Sequence, residues 1–271
     1  MKEEKVNING DIIYVLISDI DEKKETVVLI HGLGESHVCF AEAFEMLPDF
    51  NIVVMDLPGY GNSEPSKSGD HKTATQAERV FKVLTKIKIR DFCLIGHSWG
   101  GDVRTLMCKQ DKDMRVKKYI NVEGDVHTGN VIMSEIVSEK FNKLPLGEFK
   151  QWLKGKGFAV EFPFKWKIAA GLRYFASVRI CDPSVYGQTA TEIYGMYKTI
   201  DENGVIEWGR DFQKLIIPHV YCWGSNSIND PGAIRFIRQI ENHLFVGASH
   251  WLMMDSREEF YKFVNYFFNK Q

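Results

Sequence analysis

The chain has 271 residues, of which 44% are hydrophobic and 26% are charged, and its formal net charge is -2. This composition is ordinary for a soluble globular protein, and the length allows one large α/β domain or a core with an inserted subdomain. The nearly balanced charge gives no electrostatic reason to expect a nucleic acid or an anionic membrane surface as a partner. No apolar run approaches the ~20 residues that are needed to span a bilayer.

The cysteine pattern favours a reducing compartment. The five cysteines are widely spaced, odd in number and include no C-x-x-C motif: Cys39, Cys93, Cys108, Cys181 and Cys222. Cys93 and Cys222 lie in apolar segments that read as strands, so we expect both to be core residues. The N-terminal segment lacks a signal-peptide core. We therefore expect a cytoplasmic protein, either a monomer or a homodimer.

The first predicted elements are a β-hairpin and a buried strand. Residues 6–8 and 12–18 read as two strands joined at Asn9-Gly10, a pair that tolerates the positive φ angles of a tight turn. Residues 26–30 form a β-branched strand, which ends at the Gly-rich segment 31–36 (HGLGES). This segment contains neither G-x-G-x-x-G nor a P-loop lysine. An oxyanion loop is the alternative, with the N–H of Leu33 pointing into the site.

The next elements alternate between helix and strand. We predict a helix at 38–47 with Ser36 as its N-cap, a strand at 51–55 and a helix at 75–86. The turn-rich loop 56–65 has a structural interpretation, in which Asp56 accepts hydrogen bonds from loop amides.

The segment 91–101 (DFCLIGHSWGG) is a candidate nucleophile turn. A buried strand ends there in G-x-S-x-G, and a helix-compatible segment follows. In such a turn the serine adopts strained backbone angles, so residues two positions away on either side must be glycine. Ser98 would stand exposed above the sheet, and the N–H of Trp99 would be free to stabilise an oxyanion.

The rest of the chain predicts a parallel sheet with a helical insertion. A strand at 116–122 runs into Glu123-Gly124-Asp125, and the strand–helix alternation implies a sheet that helices cover on both faces. From 126 to 214 no strand fits this alternation. Strands at 216–223 and 243–246, and helices at 231–239 and 257–268, complete the core.

We interpret residues 126–214 as an inserted helical cap, between core segments 1–125 and 215–271. Its aromatic residues are too many for a wholly exposed insertion, so most should pack the cap onto the core and a few should line a pocket. They include Phe141, Phe149, Trp152, Phe158, Phe162, Phe164, Trp166, Tyr174, Phe175, Tyr194 and Tyr197.

These motifs together resemble the α/β-hydrolase superfamily over nearly the whole chain outside the cap. The similarity rests on His31-Gly32, on the D-x-P-G-x-G-x-S pattern at 56–63, on the turn at Ser98 and on the segment 247–251 (GASHW). It implies an α/β-hydrolase fold in which Ser98 is the nucleophile and His250 is the general base. No metal or organic cofactor is implied.

The chemistry requires an imidazole to activate a serine and a carboxylate to orient that imidazole. His250 follows the last apolar strand, whereas His97 adjoins Ser98 and should point elsewhere. We expect His31 to brace the oxyanion loop at the edge of the substrate site, and Trp251 to wall that site. Glu35 reads as a solvated loop charge.

The acid of the triad has three candidates. The usual superfamily position a few residues after Gly224 holds Ser or Asn here. Some members carry the acid at the end of the strand after the nucleophile helix instead, which favours Glu123 over Asp125. Asp125 otherwise reads as a solvated loop charge. Asp230 ranks third, because it is better placed as the cap of the helix that begins with Pro231.

The sequence thus predicts a serine hydrolase that cleaves an ester or related acyl bond of a small, largely apolar substrate. A serine nucleophile argues against the epoxide hydrolases and dehalogenases that the resemblance brings in, since these use Asp. A carbon–carbon bond hydrolase or haloperoxidase-like enzyme with the same triad stays open. So does a ligand-sensing or partner-binding scaffold with little turnover.

Overall fold

The structure, a computed structural model, describes residues 1–161, 167–228 and 230–270. Its described strands form a single sheet in the order β1-β2-β4-β3-β5-β6-β7-β8. They are β1 (Lys2–Ile8), β2 (Asp11–Ile17), β3 (Thr26–Ile30), β4 (Asn51–Met55), β5 (Phe92–His97), β6 (Val116–Val122), β7 (His219–Gly224) and β8 (Asn242–Phe245). β2 is antiparallel to β1 and β4, and all other neighbours are parallel. The predicted mostly parallel α/β sheet is therefore confirmed.

The α-helices follow the strands and fill the segment between β6 and β7. They are α1 (Ala43–Met46), α2 (Thr73–Lys86), α3 (Trp99–Gln110), α4 (Ile132–Lys143), α5 (Leu146–Lys154), α6 (Lys156–Glu161), α7 (Ile168–Ile180), α8 (Pro183–Gly195), α9 (Glu207–Gln213), α10 (Pro231–Ile237), α11 (Leu252–Asp255) and α12 (Arg257–Asn269). Within the described ranges, no helix is both long and apolar enough to cross a membrane.

The central strands are buried along their whole length. Every residue of β3, β4 and β5 is buried, as expected for continuous apolar runs that are covered on both faces. The amphipathic helix α2 buries Ala77, Val80 and Leu84. Cys93 and Cys222 are buried and unpaired, which confirms their prediction as core residues.

The hairpin prediction is also confirmed. β1 and β2 pair in register from Lys2 with Ile17 to Ile8 with Asp11. Asn9 and Gly10 have φ angles of 54° and 97°, as a two-residue turn with two positive φ values requires.

The single helix predicted at 38–47 is wrong. The segment forms a short 3₁₀ helix, His37–Phe40, and then α1. Asp56 fixes the start of the segment by accepting hydrogen bonds from both the backbone N–H and the ring of His37, at 2.6 and 2.9 Å. The Ser36 hydroxyl contacts Ser177 Oγ at 3.0 Å and caps no helix. Long-range contacts thus override the local helical pattern.

The helices between β6 and β7 pack on the loops that follow β3 and β4. Asp182 donates its backbone N–H to the Gly59 carbonyl at 2.8 Å, and the Tyr60 hydroxyl donates to Thr189 Oγ1 at 3.0 Å. Phe149 and Phe158 are buried, as expected for aromatic residues that hold an insertion in place. Phe162, Phe164 and Trp166 lie outside the described residues.

Helix α9 packs on the sheet although it falls within the predicted cap. The Phe212 ring lies 5.5 Å from Tyr119 of β6 and 6.2 Å from Tyr221 of β7, between ring centroids. We therefore propose that the cap ends before Glu207 and that α9 belongs to the core.

Candidate active site

Ser98 lies on a sharp turn between β5 and α3. Its φ and ψ angles are 51° and -130°, a strained combination for a residue with a side chain. A Cβ atom at Gly96 would lie 2.4 Å from the Gly100 carbonyl oxygen, and one at Gly100 would lie 2.5 Å from the Ile30 carbonyl oxygen. The two glycines of G-x-S-x-G are therefore required by the close approach of backbone atoms.

Glu123 lies close to the imidazole of His250, which the sequence analysis predicts to be the general base. Its Oε2 atom lies 3.5 Å from His250 Nδ1, and the carboxylate is buried. The same carboxylate accepts the Gly224 N–H at 2.6 Å and the Ser227 hydroxyl at 2.7 Å. Two donors therefore orient Glu123, with Oε2 toward His250.

The other two carboxylates have different partners. Asp125 is buried beside Asp102, whose Oδ1 accepts the Asp125 backbone N–H at 3.1 Å. Burial raises the pKa of Asp125 to about 7, so a solvated loop charge is the wrong interpretation of this residue. Asp230 accepts the Ala233 N–H at 2.7 Å at the start of α10, which confirms its prediction as a helix cap. Of the three candidates, only Glu123 comes within ion-pair distance of His250.

The two residues whose backbone N–H groups are expected to bind an oxyanion, Leu33 and Trp99, lie near Ser98. Leu33 lines the same cavity as Ser98, and Trp99 is the first residue of α3. Backbone N–H groups in the first turn of a helix have no partner within that helix. The Trp99 ring is buried and donates Nε1–H to Thr73 Oγ1 at 2.9 Å, so this ring packs in the core.

His31 lies in the loop that follows β3. It is fully buried, and its Nε2 accepts the Leu57 N–H at 3.0 Å while its Nδ1 donates to the Gly32 carbonyl at 2.8 Å. Burial lowers the pKa of His31, in keeping with a neutral ring that accepts one bond and donates one. His31 is not among the residues that line the cavity around Ser98, and its bonds connect the loop after β3 to the loop after β4. Its contact with substrate stays a prediction.

Glu35 and His97 form a buried pair that the sequence analysis missed. Glu35 Oε2 lies 2.7 Å from His97 Nδ1, and both side chains are nearly inaccessible to solvent. The expected solvated charge at Glu35 is wrong. The topology offers the missing signal: β3 and β5 are adjacent and parallel, so residues just past their carboxyl ends meet at one edge of the sheet.

A very small cavity joins these groups. Its lining includes Ser98, His250, Leu33 and Trp251, together with Met133 of α4 and Tyr174 of α7. The cavity volume is about 10 Å³, roughly the space of one water molecule. Larger grooves lie elsewhere on the surface, such as one of about 610 Å³ that includes His71 and Glu192, but Ser98 and His250 are not among their lining residues.

No cluster of three metal-ligating side chains occurs among the residues that the structure describes. The groups that the structure places around Ser98 are a hydroxyl, an imidazole and a buried carboxylate, with backbone N–H groups nearby. Such a set can perform nucleophilic attack on a carbonyl carbon.

Comparison with known proteins gives a consistent fold. Residues 25–256 match the family model described as alpha/beta hydrolase fold. Among solved structures, an esterase from Exiguobacterium antarcticum has a TM-score of 0.71 at 17% identity and covers 97% of both chains. A hydrolase from Pseudomonas aeruginosa PA01 has a TM-score of 0.73 at 13% identity, covering 99% of this chain and 98% of that one. At these identities the likeness is one of fold.

Curated relatives match over shorter stretches. An uncharacterized hydrolase, YugF, from Bacillus subtilis is 31% identical over 81 residues, which is 30% of this chain and 30% of that protein. The chain thus spans less than a third of the length of this relative. Lipase 3 from a Moraxella species is 22% identical over 220 residues, covering 80% of this chain and 67% of the lipase.

Proposed function

This chain belongs to the α/β-hydrolase fold family, and from that premise we propose that it is a serine hydrolase that cleaves an ester or related acyl bond through an acyl-enzyme. The observation that carries the proposal is the placement of Ser98 on a strained turn in one cavity with His250, with the Glu123 carboxylate behind the imidazole. The relatives named as esterase and lipase are consistent with this activity.

In the proposed mechanism, His250 takes the proton from the Ser98 hydroxyl as its oxygen attacks the substrate carbonyl carbon. The N–H groups of Leu33 and Trp99 stabilise the negative oxygen that forms. His250 then gives the proton to the leaving alcohol, and a water molecule releases the acid from Ser98 by the same steps. Glu123 holds Nδ1–H of His250 and stabilises the imidazolium. Its 3.5 Å separation from Nδ1 is of the kind that shortens when substrate binds.

The cavity walls favour a small and largely apolar acyl group. Leu33, Met133, Tyr174 and Trp251 contribute apolar surface around Ser98. A volume of about 10 Å³ does not hold an acyl chain. Substrate entry therefore requires α4 or α7 to shift, and a short acyl group requires the smallest shift.

Labelling with a fluorophosphonate tests this proposal, because it requires an activated serine. We expect the protein to be labelled and Ser98→Ala to remain unlabelled. A series of p-nitrophenyl esters should then show the highest kcat/KM for short acyl chains. A folded protein that resists labelling and hydrolyses no ester would overturn the proposal and favour the ligand-sensing or partner-binding alternative.

The carbon–carbon bond hydrolase and haloperoxidase-like alternatives use the same triad, so labelling does not separate them from an esterase. Ester hydrolysis far slower than cleavage of a vinylogous diketone would favour the former. We further propose that the protein works in a reducing compartment such as the cytoplasm, since all five cysteines are unpaired. A monomer or a homodimer remains the prediction for its assembly.

A further inference from the structure

Glu35 connects three separate segments around Ser98. Its Oε2 accepts the Gly32 backbone N–H at 2.6 Å and lies 2.7 Å from His97 Nδ1, and its Oε1 accepts the Trp251 indole N–H at 2.6 Å. Gly32 belongs to the oxyanion loop, His97 immediately precedes Ser98, and Trp251 immediately follows His250. One carboxylate thus bonds to the oxyanion loop and to the segments that carry Ser98 and His250.

His97 extends this connection to the general base. Its Nε2 lies 2.9 Å from the backbone carbonyl oxygen of His250. A carbonyl oxygen only accepts hydrogen bonds, so Nε2 carries a proton. The carboxylate at Nδ1 also accepts, which requires a second proton on the ring. The geometry therefore describes an imidazolium between a carboxylate and a carbonyl.

The alternative arrangement, a protonated Glu35 beside a neutral His97, is disfavoured by the other donors. The N–H groups of Gly32 and Trp251 both point at the carboxylate and stabilise its charged form. Burial opposes the charge, but His97 and these bonds lower the pKa of Glu35 to about 2. Burial also opposes the charge of His97, and Glu35 outweighs it and raises the pKa of the ring.

We propose that Glu35 and His97 are positioning residues, a charged pair that holds the oxyanion loop and the His250 backbone at a fixed separation around Ser98. This inference rests on the proposed hydrolase function. In this proposal, neither Glu35 nor His97 exchanges a proton with the substrate. Their effect on rate comes from geometry, since misplacing catalytic groups by about 1 Å costs on the order of 100-fold.

The hydrogen-bond pattern explains why an amide cannot replace this carboxylate. Three N–H donors face Glu35, two at Oε2 and one at Oε1. The amide of Gln has one acceptor oxygen and one NH₂ donor. In either orientation, the NH₂ group of Glu35→Gln would face at least one donor. Glu35→Gln should therefore displace a loop despite its unchanged shape.

Asp56 offers a matched control. Like Glu35, it is a buried carboxylate with three donors, namely the backbone N–H groups of His37 and Asn62 and the His37 ring, at 2.6 to 2.9 Å. These hydrogen bonds reach neither the segment that holds Ser98 nor the segment that holds His250. Asp56→Asn should therefore cost stability without altering the geometry around Ser98.

The test compares folded variants. For each one it measures the rate constant of fluorophosphonate labelling and the kcat and KM for hydrolysis of an ester. For Glu35→Gln we expect a fall of about 100-fold in labelling and in kcat, with little change in KM. For Asp56→Asn the fall should not exceed about threefold. The proposal is overturned if Glu35→Gln labels as fast as Asp56→Asn, or if both are equally slow.

A double variant tests the direction of the coupling between Glu35 and Trp251. Trp251→Phe removes the donor at Oε1, so the amide of Glu35→Gln can turn its oxygen toward Gly32 and His97. The double variant should label faster than the product of the two single effects predicts. Strictly multiplicative effects would contradict the donor conflict on which the positioning argument depends.

Nuclear magnetic resonance of the unaltered protein tests whether Glu35 and His97 are charged, even if these variants fail to fold. With ¹⁵N-labelled histidine, His97 should show both ring nitrogens protonated at pH 7. An unprotonated nitrogen on His97 would overturn the charged pair. If the unaltered protein is not labelled at Ser98, the hydrolase proposal fails, and this spectrum still decides the state of the pair.

Discussion

The buried pair Asp102 and Asp125 predicts an unusual dependence of stability on pH. Asp102 lies in α3, one turn after Ser98, and Asp125 follows β6. Burial, together with the Asp125 charge, raises the pKa of Asp102, and burial raises the pKa of Asp125 from 3.8 to about 7. A carboxyl group with a raised pKa binds its proton more tightly in the folded state. Its contribution is therefore most favourable below pH 3.8 and is lost as the pH rises toward 7.

Asp125→Asn removes this titration. By proton linkage, the Asp125 shift lowers the free energy of unfolding by about 2 kcal/mol at pH 5 and by about 4 kcal/mol at pH 8. Between these pH values the unaltered protein should lose about 2–3 kcal/mol relative to Asp125→Asn. This difference does not depend on any constant cost of the asparagine, because that cost is the same at both pH values.

Urea unfolding at pH 5 and pH 8 measures the difference directly. Asp19→Asn is a suitable control, since the Asp19 side chain is 99% exposed and should leave the pH dependence unchanged. Asp125→Asn also removes the charge that helps to raise the pKa of Asp102, which changes the pH dependence in the same direction. Titrating groups away from this pair, such as His31 and His97, are present in every variant and cancel in the comparison. Parallel pH profiles for the unaltered protein and Asp125→Asn would refute the reasoning.

Three further variants test the site and its turn. Glu123→Gln should lower kcat for ester hydrolysis by about 10²–10⁴-fold, because the imidazole loses its charged partner, while circular dichroism shows an intact fold. Wild-type turnover in Glu123→Gln, together with loss of turnover in Asp230→Asn, would reverse the assignment of the acid. Ser98→Gly should abolish labelling yet raise the free energy of unfolding by about 1 kcal/mol, because glycine relieves the strain at a φ of 51°; an unchanged or lower stability would contradict that strain. Gly96→Ala should destabilise the protein by about 1–3 kcal/mol in urea titrations, since its Cβ would lie 2.4 Å from a backbone oxygen. Gly147→Ala, whose Cβ meets nothing within 4 Å, should cost nothing, and equal losses at the two glycines would disprove the steric argument.

Strands with continuous apolar runs were predictable because burial on both faces leaves a strong local signal. The bounds of β7 and β8 were less predictable from the sequence. Ile216 and Val246 look like strand residues, yet they are 87% and 77% exposed and lie outside β7 and β8. Whether an apolar residue at a strand end pairs with a neighbour depends on where that neighbour stops, which no local pattern records.

The candidate site divides in the same way. Ser98 and His250 follow from short motifs whose backbone requirements are local. The Glu35–His97 pair links residues 62 positions apart, and Asp125 is buried by a helix rather than exposed in its loop. Such side chains acquire their charge state only from partners that the fold brings in. Sequence reasoning therefore treated both acids as ordinary loop charges.

The attachment of Glu123 to the neighbouring strand has a consequence for how this protein can vary. The Glu123 carboxylate lies at the end of β6, and its two orienting donors come from Gly224, the last residue of β7, and from Ser227 in the turn that follows. The Gly224 donor is a backbone group and survives any replacement of its side chain. The turn after β7 therefore does not need to supply the carboxylate that lies beside His250. Substitutions in this turn that keep the Ser227 hydroxyl should therefore leave the Glu123 carboxylate in place.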